Sequence, residues 1–190
     1  MAGQLADSGG FEACAPTMLG HHGGHRSPTW LLDTGALVDD VERRMDRLGW
    51  QTAHIVGNSL GGWVAFELER RGRARTLTAI APAGGWSQHS AAKYETVLKF
   101  ILGGPALIAA RLLGPRILGA PTHLVVCERD RVFPAPRGHR YFLKHMPATV
   151  EMIELDGLGH IPMLEAPTRV ADVITDFITR HTTPQEKAAG

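Results

Sequence analysis

Thr52 to Gly72 reads TAHIVGNSLGGWVAFELERRG, and its hydrophobic period changes at a single serine. Thr52 to Val56 is a short, mostly apolar run, the pattern of a central strand buried on both faces of a parallel sheet. Beyond Gly57 the apolar residues Leu60, Val64, Ala65 and Leu68 recur at helical spacing, and Gly72 supplies the left-handed residue that closes a helix. Strand therefore gives way to helix around Ser59. The turn, Gly57-Asn58-Ser59-Leu60-Gly61, fits Gly-x-Ser-x-Gly, with glycines where backbone must pass close on either side. A serine on such an elbow has its hydroxyl pushed out at the strand's carboxyl end. The helix N-terminus beside it offers unpaired N–H groups that stabilise developing negative charge.

Outward from the elbow the chain alternates. Phe11 to Leu19 reads as a strand ending near Pro16, Gly20 to Pro28 as a loop, and Val38 to Leu48 as a helix stopped by Gly49. Arg75 to Ile80, Thr122 to Cys127 and Val150 to Leu155 read as strands. Ala135 to His145 reads as a helix, and Val170 to Ile178 as an amphipathic helix opened by Pro167. From His89 to Leu118 the chain is helix-prone but broken by Gly-Pro pairs, and its apolar faces suit a lid spanning about 86–119. Strands alternating with helices predict an α/β fold: a three-layer α/β/α domain with a mostly parallel sheet, occupying residues 1–190 as one unit. Ligand sites in such sheets lie beyond the strands' carboxyl ends.

Those ends carry chemistry. After Cys127 comes Glu128-Arg129-Asp130-Arg131-Val132-Phe133-Pro134, and after Leu155 comes Asp156-Gly157-Leu158-Gly159-His160-Ile161-Pro162. Ser59, Asp130 and His160 thus follow one another as nucleophile, acid and base. A serine hydroxyl needs a base to take its proton, an imidazole suits that task, and a carboxylate fixes the imidazole's tautomer. Asp156 is nearer His160 in sequence, but Asp130 sits on a neighbouring strand end and approaches the ring from the side.

Composition narrows the alternatives. Twenty Lys and Arg against nineteen Asp and Glu leave a formal charge of +1, with no basic run to suit nucleic acid or an anionic membrane surface. No apolar stretch reaches the ~18 residues of a membrane span. The first residues lack the pattern of a secretory signal, and Cys14 and Cys127 lie in apolar runs as small hydrophobic thiols. These features suit a cytoplasmic protein. His21, His22 and His25 lack accompanying carboxylate or thiolate ligands at metal-site spacing, so no metal is expected.

The segments Gly57-Asn58-Ser59-Leu60-Gly61-Gly62, Asp130-Arg131-Val132-Phe133-Pro134 and Gly157-Leu158-Gly159-His160-Ile161-Pro162-Met163 together resemble the α/β-hydrolase superfamily, over about Phe11 to Arg180. The resemblance implies Ser59 as nucleophile, Asp130 as acid, His160 as base and the Leu60 amide as an oxyanion donor. It also implies Asn58, Trp63 and Trp86 near a substrate, a short cap, and no cofactor. The implied activity is that of a serine hydrolase on a small or medium carboxylic ester. The rival is a non-catalytic or truncated relic that binds a ligand or partner. The family's sheet has more strands ahead of the elbow than this chain supplies, and its second oxyanion donor follows one of them. Reading His22-Gly23-Gly24 as the His-Gly-Gly motif of some esterases would restore that donor, but the loop more closely resembles the family's Gly-x-Gly segment after the fourth strand. Either the strand at Phe11 to Pro16 shifts to pair directly with Thr52 to Val56, the favoured outcome, or the sheet stays damaged and the chain unstable. The shift brings the Gly20 to His25 loop towards the vacant position as an improvised oxyanion site, so weak esterase activity on activated short-chain esters is expected.

Overall fold

A computed structural model describes residues 2–26, 34–83, 119–133 and 146–182. The lid at 86–119 and the helix expected at Ala135 to His145 lie almost wholly outside them. Four strands, β1 (Ala53–Asn58), β2 (Ala74–Ile80), β3 (Thr122–Cys127) and β4 (Glu151–Leu155), form one sheet in chain order. Every pairing is parallel. The helices among the described residues are α1 (Ala2–Gly9), α2 (Thr34–Arg47), α3 (Leu60–Arg70), the single turn α4 (Pro162–Glu165) and α5 (Pro167–Arg180).

The two faces of β3 show how the layers arise. Val125 and Cys127 point to one side, where they pack with Ile80, Leu155 and the α5 residues Val170, Ile174 and Ile178. Leu124 and Val126 point to the other, against Ala65 and Phe66 of α3. All six β3 residues are buried, because period-two alternation offers an apolar side chain to each helical layer. Ile174 and Phe177 of α5 are fully buried, and each such side chain contributes about 1.5–3 kcal/mol. α2 joins the α3 side through Leu37, Val38 and Met45 against Val64 and Leu68. Left-handed glycines end both helical segments, Gly49 after α2 (φ 76°) and Gly72 after α3 (φ 74°). Glu69, buried within α3, accepts the Gly119 and Ala120 amides at 3.1 and 3.2 Å, tying the approach to β3 onto that helix.

Three expectations are corrected. Phe11 to Leu19 forms no strand and does not pair with β1. Instead Phe11 packs into the core beside α5 and lays its ring 5.8 Å from that of His54, so this segment buries its aromatic against the sheet rather than adding to its edge. β1, expected at the centre, pairs only with β2 among the described residues, and most of its side chains are half-buried. Cys14, expected within an apolar strand, is exposed. α1 and α4 carried no helix signal in the sequence; α1 lies against α5.

Candidate active site

Ser59 sits between β1 and α3 with φ 54° and ψ −117°, a conformation that L-residues adopt only when surroundings impose it. Those surroundings are visible. Its N–H donates to the Ile80 carbonyl at 3.0 Å, and its carbonyl accepts from Ala83 at 2.9 Å and from Trp63 at 3.2 Å. Ala81, across from it, also has a positive φ of 41°. Two strand ends are thus laced together at the elbow.

The glycines explain the motif, with one change. A methyl group on Gly57 would lie 2.1 Å from the Gly61 carbonyl oxygen, so only glycine fits there. Gly61, in contrast, faces open space, and the second tight position is Gly62, whose added carbon would meet the Pro82 side chain at 2.8 Å. The close approach falls one residue later than the Gly-x-Ser-x-Gly pattern suggests.

At the far side of the sheet, the loop after β3 presents Asp130 and the loop after β4 presents His160. Nδ1 of His160 donates to Asp130 Oδ2 at 2.8 Å. The other carboxylate oxygen accepts the amides of Val132 and Phe133, both at 2.8 Å, the turn by which an aspartate satisfies the backbone just downstream. The Asp130 side chain is fully buried and that of His160 nearly so. Burial pushes the Asp130 carboxyl up, but the hydrogen bond from His160, its charge and the two amides outweigh this and hold the carboxyl below its ordinary value. An ionised carboxylate only accepts, so the imidazole proton lies on Nδ1 and Nε2 is left as the acceptor. Phe133 packs its ring at 69° and 5.0 Å against the imidazole. Asp156 is exposed, and Arg169 bonds its backbone carbonyl.

Two carboxylates that the sequence reading passed over brace the His160 loop: Glu128 accepts the Gly157 amide at 2.6 Å, and Glu165 accepts the Gly159 amide at 3.1 and 3.2 Å. Their signal was available, since Glu128 opens the post-β3 loop and Glu165 closes the turn after His160. Asn58 donates to the carbonyls of Ile80 and His160 at 3.1 and 3.0 Å. Trp63 and Leu60 pack against the apolar cluster between α2 and α3, and Trp86 lies outside the described residues. No hydrogen bond joins the Ser59 hydroxyl to the His160 ring among the described residues. The loop at Gly20 to His25 is closed by the Gly20 amide on the His25 carbonyl and the Gly24 amide on the His21 carbonyl, and the His21 amide bonds the Met18 carbonyl just ahead of it. His25 anchors it to buried Asp40 of α2 at 3.1 Å, and Arg44 of the same helix bonds the other Asp40 oxygen at 3.2 Å. Among the described residues no group of three or more metal-ligating side chains occurs, and no helix is long and apolar enough to cross a membrane.

A parallel sheet with helices on both faces, a strained serine elbow, and an Asp-His pair on later strand ends define a hydrolase of the α/β-hydrolase superfamily, and the chain belongs to it. It is similar to the Mycobacterium tuberculosis protein Epoxide hydrolase EphH, 41% identical over 204 residues, with 77% of this chain and 95% of that protein covered. Among solved structures it resembles a thermophilic esterase from Thermogutta terrifontis (TM-score 0.66, 19% identity, 87% of this chain and 79% of the other). It also resembles a meta-cleavage product hydrolase from Pseudomonas fluorescens (TM-score 0.64, 17% identity, 88% and 79%). No family model matches the sequence.

Proposed function

We propose that the protein is a serine hydrolase that cleaves a small or medium carboxylic ester through an acyl-enzyme. The observation that carries this reading is the buried Asp130 carboxylate fixing the proton on His160 Nδ1 at 2.8 Å, on a loop bonded to the residue that precedes Ser59. In the first half-reaction Ser59 Oγ bonds to the ester carbonyl carbon while its proton passes to His160 Nε2. Asp130 stabilises the imidazolium, and the Leu60 amide at the start of α3 stabilises the oxyanion. Collapse breaks the carbon–oxygen bond to the alcohol, which leaves with the proton from His160. Water, deprotonated by the same nitrogen, then attacks the acyl carbon and frees Ser59. No cofactor enters this scheme. With the Gly20 and Gly24 amides bonded within the Gly20 to His25 loop, we assign no second oxyanion donor among the described residues. Turnover is therefore expected to be weak and best on activated short-chain esters, one missing donor costing about 10²–10³.

A second reading follows from the similarity to an epoxide hydrolase. Serine chemistry opposes it: attack of Ser59 on an epoxide carbon would leave an ether with no carbonyl for water to enter, ending the enzyme after one event. Epoxide opening here would need water activated directly by His160. The deciding experiment exposes the protein and its Ser59→Ala and His160→Ala variants to a fluorophosphonate, a p-nitrophenyl ester and an aryl epoxide. Labelling and ester turnover that vanish in both variants are expected. Epoxide conversion that survives Ser59→Ala would support the second reading, and absence of any mass shift would leave a ligand-binding relic.

A further inference from the structure

Asn58 is the last residue of β1 and the neighbour of Ser59. Three strand spacings of about 4.8 Å separate β1 from β4, so their ends stand roughly 14 Å apart. His160, carried on the loop after β4, must therefore be drawn back across the sheet before it can serve Ser59. The restraints on its loop from β3 and α4 are Asp130 on the ring, Arg129 on the Leu158 carbonyl, Glu128 on the Gly157 amide and Glu165 on the Gly159 amide. Each fixes the loop relative to its own side. Among the described residues, the one side-chain bond from the serine's strand to this loop is that of Asn58 Nδ2 to the His160 carbonyl, at 3.0 Å. The same nitrogen donates to the Ile80 carbonyl at 3.1 Å, which also accepts the Ser59 amide at 3.0 Å. Both partners of Asn58 are carbonyl oxygens, so only a group with two donor hydrogens can join them.

We propose that Asn58 is a positioning residue: its carboxamide clasps the His160 backbone to the elbow and thereby sets the separation of Ser59 Oγ from His160 Nε2. This rests on the Ser59-His160-Asp130 reading, and a misplacement of about 1 Å costs on the order of 10² in rate. The test uses Asn58→Ala and Asn58→Asp, the latter nearly isosteric but accepting only when ionised. Both should lower kcat about 10- to 100-fold on a p-nitrophenyl ester with KM within about twofold. The ratio of Asn58→Asp to Asn58→Ala activity should rise modestly from pH 7 to pH 5, as the introduced carboxyl loses its charge beside two carbonyls and gains a single proton that can bond one of them, without rebuilding the full clasp. A role in stability alone produces no such trend. Independently of turnover, the downfield NMR resonance of the His160 Nδ1 proton should shift or broaden in both variants. An unchanged resonance together with unchanged kcat overturns the proposal. A wild-type protein without ester turnover, whose His160 resonance nevertheless moves in both variants, upholds the clasp and removes the reaction.

Discussion

Replacing Asp130 with asparagine exchanges one oxygen for an amino group where the surroundings dictate which oxygen it must be. Oδ1 accepts the Val132 and Phe133 amides at 2.8 Å, while Oδ2 accepts from His160. Were the new amino group turned toward the two amides, two buried donors would lose their acceptor, at about 1–3 kcal/mol each. The carboxamide oxygen therefore stays on the backbone, and the amino group faces His160 Nδ1. That nitrogen must then accept, so the imidazole proton moves to Nε2, the atom that takes the proton of Ser59 in the proposed reaction. A loss of about 10⁴ in kcat is expected from this tautomer change, equivalent to about 5.4 kcal/mol of barrier. The fold should persist, since every partner keeps a hydrogen bond. Steady-state hydrolysis of a p-nitrophenyl ester and the rate of fluorophosphonate labelling, both near neutral pH, measure the effect. Asp130→Asn activity within tenfold of wild type, or an inactive Asp156→Asn beside an active Asp130→Asn, would refute the assignment. The Asp130 carboxyl is held below its ordinary value, so its contribution to stability is complete above the unfolded-state pKa and is lost as pH falls through the lower folded value. Asp130→Asn should remove that part of the acid limb of a pH–stability profile.

Gly57→Ala, which places carbon 2.1 Å from a backbone oxygen, should prevent the elbow from closing and yield little folded protein, whereas Gly61→Ala, with nothing within 4 Å, should be neutral or stabilising by up to about 1 kcal/mol in thermal denaturation. His123, buried at 4% exposure and stacked on Phe177, has its pKa pushed down to about 4. The unfolded chain therefore takes this proton first, and stability should fall by on the order of 3 kcal/mol as pH drops from about 6.5 to about 4. His123→Leu should flatten that slope in chemical denaturation. Under native conditions iodoacetamide should add once, at exposed Cys14, because Cys127 is buried and its thiol is pushed up to about 12. A second adduct without denaturant would contradict the burial.

What could be read from the sequence was what periodicity and strand-end chemistry encode. Thr122–Cys127 and the helix from Pro167 fall where they were expected, because both bury apolar residues in register with their own geometry. The Asp130–His160 contact was legible because each residue follows its strand directly. Phe11 to Leu19 misled because Ala, Cys and Ala offer a strand-like pattern with little surface to bury, and Phe11 gained more against the core. α1 went unseen: its short, polar sequence has no capping signal, and its place depends on α5, far along the chain. Asn58 illustrates a different limit. Its residue type suits a pocket or a turn equally, and its role comes from two carbonyls supplied by other strands.

Because β1 to β4 lie side by side in the order of their synthesis, the sheet can grow vectorially as the chain leaves the ribosome. The serine elbow and β1 to β3 can assemble while β4 is still being made, and at about 5–20 residues per second His160 follows Cys127 by a few seconds. If Ser59 is the proposed nucleophile, it is until then a strained but inert alcohol, with no base to ionise it. On the proposed reading a nascent or stalled chain carries no indiscriminate acylating centre, and reactivity switches on when β4 docks. In refolding, return of fluorophosphonate labelling should mark the closing of β4 on β3, later than the burial of the α3 face.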